Sequence, residues 1–215
     1  MSEAQAVVFI IDDDASVRRG LAELFGSVGL GVQAFESAQE FQDRKPPDGP
    51  GCIILDVRLR GASGLEFQNT LRRLGVLLPV IFISGHSDIP ISVRAMKSGA
   101  FEFLTKPLRE QELLDAIHAA IERDRARRQE AALVAELQER FDSLTLRERE
   151  VMTLVVASSG NKEIAAQLGV SEMTVKVHRS HVMQKMRARS VVDLVRIGDK
   201  LGIPGKPITT PKPKA

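Results

Sequence analysis

The 215-residue chain has no tryptophan and no tyrosine, a single cysteine, and no apolar run long enough to span a bilayer. Without Trp and Tyr, stacking platforms for single-stranded nucleic acid would have to come from nine Phe, most of them in core-like positions, which argues against that ligand class. Cys52 alone cannot form an intrachain disulfide, and inside an apolar run it reads as a structural thiol in a reducing compartment. No charged stretch followed by an apolar one opens the sequence, and no run approaches the ~20 apolar residues of a membrane-spanning helix. These absences set the expectation of a cytoplasmic protein with no membrane partner.

Net charge is only +2, but it is unevenly spread. Residues 1–121 carry 12 Lys/Arg against 16 Asp/Glu, residues 122–143 carry 5 against 6, and residues 144–215 carry 13 against 6. An acidic front half joined to a basic back half places any contact with a polyanion in the back half.

What is present is an alternation of short apolar runs and helical periods. Residues 7–11, 52–55, 79–83 and 101–104 are apolar and rich in β-branched side chains, and with 32–35 they read as five buried strands. Val17, Leu21, Leu24, Phe25 and Val28 set a first helix stopped by Gly29, and Ser37 with Glu40 reads as a capping box opening a second. Residues 44–51 are a loop by composition, residues 65–74 a third helix, and Asp88 the N-cap of a fourth with Pro90 in its first turn. A fifth begins near Glu110. The alternation specifies a doubly wound parallel α/β sheet covered on both faces.

No Gly or Pro interrupts residues 108–143, so the fifth helix continues through a charged stretch, residues 122–130, expected to be too polar for burial. Beyond it Leu133, Val134, Leu137 and Phe141 restore an apolar stripe. The segment reads either as a solvated spacer or as a dimerising linker. The expected division is a first domain over residues 1–121, a helical linker over 122–143, an all-α domain over 144–201, and a disordered Pro- and Lys-containing tail over 202–215.

Four strands end in groups with chemistry. Asp12, Asp13 and Asp14 follow the first, Asp56 ends the third, Ser84 ends the fourth, and Thr105 leads from the fifth to Lys106. In an open doubly wound sheet, ligands sit outside the carboxyl ends of the strands. Neighbouring carboxylates raise one another's pKa unless a cation neutralises them, and oxygen-only ligands suit Mg²⁺. Such an ion orients a phosphoryl group, which a carboxylate oxygen can attack to give an acyl phosphate. Lys106 supplies a point charge for a phosphoryl oxygen and Ser84 a hydrogen bond. Asp14 reads as a cap, and His86 and His118 as loop and surface residues.

In this order, over residues 1 to about 121, Ile11-Asp12-Asp13-Asp14, strand-terminal Asp56 and Ser84, and Thr105-Lys106-Pro107 resemble the receiver domain of bacterial two-component response regulators. The resemblance implies the sheet order 2-1-3-4-5, Asp56 as phosphoacceptor, and Mg²⁺ (or Mn²⁺) held by Asp12, Asp13, Asp56 and the backbone carbonyl of Arg58. It also puts Ser84 and Lys106 on the phosphoryl group, makes the Lys106-Pro107 bond cis, and gives Phe103 the role of switch aromatic. The usual Asp-x-x-Met-Pro-x-x-x-Gly loop departs here, with Leu59 for Met and Arg60 for Pro. Phe103 lacks the hydroxyl of Tyr and can signal only by burial.

The basic half carries a different pattern. Thr145 with Glu148 reads as a capping box opening a helix with Leu146, Val151, Leu154 and Val155 as its apolar positions. Residues 162–168 form a second helix ending at Gly169, Ser171 caps a third that runs to about Arg187, and Ser190 caps a fourth. Two short helices joined by Leu168-Gly169-Val170-Ser171 are the helix-turn-helix pattern, whose second helix enters the major groove. The segments Asn161-Lys162-Glu163-Ile164-Ala165 and Thr174-Val175-Lys176-Val177-His178 resemble the LuxR/NarL-type four-helix DNA-binding domain. With the receiver, the whole chain resembles the FixJ subfamily of response regulators.

Lys176, Val177, Arg179 and Ser180 are expected to face the groove, the first two at positions this family uses for base contact. Lys162, Ser171, Thr174 and Lys185 are expected on phosphates. His178 and His181, three apart, read as packing or phosphate-contacting residues. Ala157-Ser158-Ser159-Gly160 replaces the family's usual Ala-x-Gly turn. The resemblance implies a non-enzymatic transcriptional regulator that works with a sensor histidine kinase, double-stranded promoter DNA, RNA polymerase and, when phosphorylated, a second copy. Two other readings stay open: a haloacid-dehalogenase-like phosphatase with Asp12 as nucleophile, and a constitutive DNA-binding protein whose receiver only dimerises.

Overall fold

A computed structural model describes residues 5–44, 49–85 and 89–204, and the chain divides into two units, Met1–Gln129 and Glu130–Ala215. Residues 45–48 of the expected loop, His86, the expected cap Asp88 and the tail from residue 205 lie outside the described residues.

In the first unit, β-branched runs favour the pleat because their restricted χ1 packs well on a sheet surface. Strands β1 (Val7–Ile11), β2 (Gly31–Phe35), β3 (Gly51–Asp56), β4 (Val80–Ser84) and β5 (Glu102–Thr105) form one parallel sheet in the order β2-β1-β3-β4-β5. Every residue of β3 and β4 is buried, as a sheet covered on both faces requires. Alternate residues then serve opposite faces. Phe9, Ile11, Ile53, Leu55 and Phe82 pack with Phe41, Phe67, Leu71 and Ala95 from α2 (Ala38–Gln42), α3 (Gly64–Arg73) and α4 (Ile89–Lys97). Val8, Ile10, Cys52, Ile54, Ile81 and Ile83 pack with Leu21 and Phe25 of α1 (Ala15–Ser27) and with Leu113, Ile117 and Ile121 of α5 (Glu110–Asp142). Strand order reverses between β1 and β3, so the carboxyl ends of those two strands open the crevice.

Two local expectations change. Ser37 Oγ accepts the Glu40 N–H, but the Glu40 carboxylate accepts from Glu36 N instead of Ser37, so only half of that capping box forms. The charged stretch of α5 is not uniformly solvated either. Asp124 is completely buried: its Oδ2 accepts the Gly51 N–H at 3.2 Å, and Arg127 and Arg128 each bond one of its oxygens. A buried carboxylate is tolerated when it is paired and hydrogen-bonded, and the i+3 and i+4 positions of one helix supply both guanidinium groups.

The second unit contains the end of α5 and helices α6 (Leu146–Val156), α7 (Asn161–Leu168), α8 (Glu172–Lys185) and α9 (Val191–Lys200). Thr145 and Glu148 complete a capping box on α6, Gly169 closes α7 in the left-handed conformation, and Ser171 and Ser190 cap α8 and α9. Val151, Met152, Val155, Ile164, Val175, Val182, Met186 and Leu194 form its core. Among the described residues, no helix is long and apolar enough to cross a membrane.

Candidate functional site

At the mouth of the first unit, Lys106 joins two of the strand-terminal carboxylates. Its Nζ lies 3.0 Å from Asp12 Oδ2 and 2.7 Å from Asp56 Oδ2. The other oxygen of each carboxylate accepts a backbone N–H, from Asp14 at 2.8 Å and from Arg58 at 2.7 Å. Burial pushes the Asp12 carboxyl above its ordinary range, against the Asp14 hydrogen bond and Lys106. Burial also opposes the Lys106 charge, yet hydrogen bonds and attraction from Asp56 and Asp12 outweigh it and raise its pKa.

The acidic triplet divides its labour. Asp12 is fully buried; Arg18 Nη1 donates to its backbone carbonyl at 2.7 Å. Asp14 caps α1, accepting from Ser16 and Val17 N–H groups that hold its carboxyl below the usual range. Asp13 stands at the rim, where Arg60 Nε reaches its Oδ2 at 3.0 Å. Ser84 is buried at the end of β4, its carbonyl accepting the Lys106 N–H at 2.7 Å, and the Lys106-Pro107 peptide is cis. Phe103 is half-buried beside Phe82, with ring centroids 6.4 Å apart. Cys52 lies within the sheet, and burial pushes its thiol up to about 12, so it is no nucleophile.

Carboxylate oxygens and a backbone carbonyl are hard donors, a set whose chemistry fits Mg²⁺ or Mn²⁺. Among the described residues, no three His, Cys, Asp or Glu side chains already converge as a metal cage. Lys106 engages the inner pair and Arg60 engages Asp13.

On α8 of the second unit, Lys176, Val177 and Ser180 are exposed, Val177 at 47%. Lys162 of α7 is exposed, and neither it nor Lys176 has an ion pair among the described residues. Arg179 is half-buried, donating to Asn161 Oδ1 at 2.8 Å. Ser171 Oγ accepts the Thr174 N–H at 3.1 Å and shares a 2.8 Å hydrogen bond with Thr174 Oγ1. Lys185, expected on a phosphate, places its ammonium 2.6 Å from Glu148 Oε2, whose other oxygen lies 3.5 Å from His181 Nδ1. That buried carboxylate attracts the lysine inward and redirects it. His178 and His181 thus face different surroundings, and His178 Nδ1 is buried without a hydrogen-bond partner among the described residues.

Sequence reasoning missed Arg60 and Asp124 as partners. For Asp124 the signal was present, as a carboxylate with arginines three and four residues on. For Arg60 it was present only as a departure from a pattern.

Residues 8–118 match the family model of the response regulator receiver domain, and residues 142–198 match that of bacterial regulatory proteins of the luxR family. Nodulation protein W of Bradyrhizobium diazoefficiens is 54% identical over 202 residues, covering 94% of this chain and 89% of that protein. Among solved structures, response regulator StyR superposes with a TM-score of 0.81 at 45% identity, covering 92% of this chain and 100% of that one. Full-length FixJ from B. japonicum superposes with a TM-score of 0.56 at 37% identity, covering 92% and 98%.

Proposed function

The chain belongs to the response regulators that join a receiver domain to a LuxR-type DNA-binding domain, of the FixJ kind, and on that premise we propose that Asp56 is its phosphoacceptor. The observation that carries the assignment is the shared lysine. Lys106 already holds an Asp56 oxygen at 2.7 Å, so a phosphoryl group built on that carboxylate forms beside a fixed positive charge. The Asp56 carboxylate attacks phosphorus, and the phosphoryl group leaves the histidine of a sensor kinase for an acyl-phosphate linkage. Lys106 then draws a phosphoryl oxygen, Ser84 Oγ bonds another, and the Arg58 N–H keeps the Asp56 carboxylate in orientation. Asp12, Asp13, Asp56 and the Arg58 carbonyl would hold Mg²⁺, which supplies charge neutralisation between carboxylates and phosphate.

Asp12 suits a supporting part. Its side chain is 1% exposed against 12% for Asp56, which leaves it the more poorly presented for attack and argues against a phosphatase using it as nucleophile. Phe103, half-buried against Phe82, is the side chain proposed to repack when Ser84 turns toward the phosphate. The proposed output is regulation of transcription by RNA polymerase through double-stranded promoter DNA in the cytoplasm, bound as a homodimer. Helix α8 lies in the major groove, with Lys176 and Val177 on base edges and Lys162, Ser171 and Thr174 on phosphates. Arg179 and Ser180 flank the reading residues.

Acetyl phosphate labelling tests the input. The native chain is expected to take up phosphate in the presence of Mg²⁺ and the Asp56→Asn variant to take up none; undiminished labelling of that variant would overturn the assignment.

A further inference from the structure

The loop after β3 carries a charged residue that the phosphoryl chemistry above does not use. Arg58–Leu59 and Ala62–Ser63 pair as an antiparallel ribbon, Arg58 opposite Ser63 and Leu59 opposite Ala62, which leaves Arg60 and Gly61 as its two-residue tip. Gly61 has φ +78°, a conformation that closes so short a turn without the strain a side chain would bring. The base of the ribbon is pressed onto the end of β3. Gly64 N–H donates to the Val57 carbonyl at 3.0 Å, and a Cβ on Gly64 would lie 2.3 Å from the Asp56 carbonyl oxygen. Ribbon and phosphoacceptor strand are therefore held in fixed relation, and the Arg60 side chain reaches back over the mouth to Asp13.

That reach matters because of how the site's charges are shared. The two inner carboxylates already have Lys106; Asp13 has Arg60. The Arg60 side chain is 86% exposed and that of Asp13 25%, so the pair is open to water and can exchange. We infer that Arg60 is a resident cation that competes with the divalent metal for Asp13 and thereby sets the metal affinity of the site. The inference rests on the reading of Asp13 as a metal ligand. The guanidinium occupies one oxygen of Asp13 and sets a positive charge beside the place a divalent ion would take, so metal binding works against the Arg60 charge. The Pro usual at this place in the receiver pattern could offer no such competition. An exposed ion pair is weak, so the competition is a matter of a few fold, and it is screened by salt.

Mn²⁺ binding to the full chain, followed by the electron paramagnetic resonance of the free ion at low and high ionic strength, tests this without reference to phosphorylation. Arg60→Ala is expected to bind Mn²⁺ about two- to fivefold more tightly than the native chain at low salt. The gap should close at high salt, and Asp13→Asn should weaken Mn²⁺ binding and remove the effect of Arg60→Ala. If Asp13→Asn weakens binding but Arg60→Ala binds no more tightly than the native chain, the role of Arg60 is overturned and the metal reading stands. If Asp13→Asn binds like the native chain, or the native chain binds no Mn²⁺, both fall.

Discussion

Glu148 is held down to about 2, from an ordinary 4.5, chiefly by the Lys185 hydrogen bond, with burial opposing and the Thr145 N–H helping. A depressed carboxyl contributes stability that is complete above the unfolded-state value of 4.5 and is lost as pH falls through about 2. Glu148→Gln is therefore expected to destabilise the second unit by roughly 1 to 3 kcal/mol at neutral pH. The difference should shrink as pH drops from 4.5 toward 2. Hydrogen exchange of the α6 and α8 amides measures it, and a difference that does not change with pH would assign the loss to packing, not charge. The same pairing bears on DNA contact, because it leaves Lys176 and Lys162 better placed than Lys185 to meet it. Lys176→Ala should relax base preference at one position by about 1 to 3 kcal/mol, whereas Lys162→Ala should weaken all sequences alike and lower the salt slope by about one. Binding titrations over a panel of single-base variants at several salt concentrations separate the two. Asp12, Asp56, Ser84 and Lys106 were legible in the sequence because each ends an apolar run or follows one. Arg60 and Lys185 were not, since their partners, Asp13 and Glu148, are 47 and 37 residues away and pattern does not show which side chains meet.

At the scale of elements, the turn between α6 and α7 stores strain. Ser158 has φ +64°, its N–H donating to the Val155 carbonyl, in a conformation that costs a residue with a Cβ about 1 to 2 kcal/mol. Ser158→Gly relieves that strain while adding freedom to the unfolded chain. The expected net gain is roughly 0.5 to 1 kcal/mol, visible as a higher thermal midpoint; a lower midpoint would show that the serine side chain holds the turn. The sequence already marked this turn as a departure, Ala157-Ser158-Ser159-Gly160, and the backbone conformation shows what the departure costs. Helix α5 is a mixed case. Its continuity from Glu110 to Asp142 follows from the absence of Gly and Pro, but the burial of Asp124 depends on Gly51, 73 residues earlier, and was beyond periodicity alone.

At the scale of the whole molecule, an acidic unit with a carboxylate-lysine site and a basic unit with a helix-turn-helix are joined covalently through α5. The five strands and the four helices of the second unit were legible because strand runs, caps and glycine stops all point the same way, whereas the order of the strands came only with the resemblance to receiver domains. Control of DNA binding in the second unit by phosphate on Asp56 is the proposed switch. It is tested most directly by the affinity of the full chain for a site selected from random DNA, measured with Mg²⁺ in the presence and absence of acetyl phosphate, for the native protein and for Asp56→Asn. The account predicts at least about tenfold tightening, ~1.4 kcal/mol, for the native protein and none for the variant. Equal tightening in both, or in neither, would contradict it.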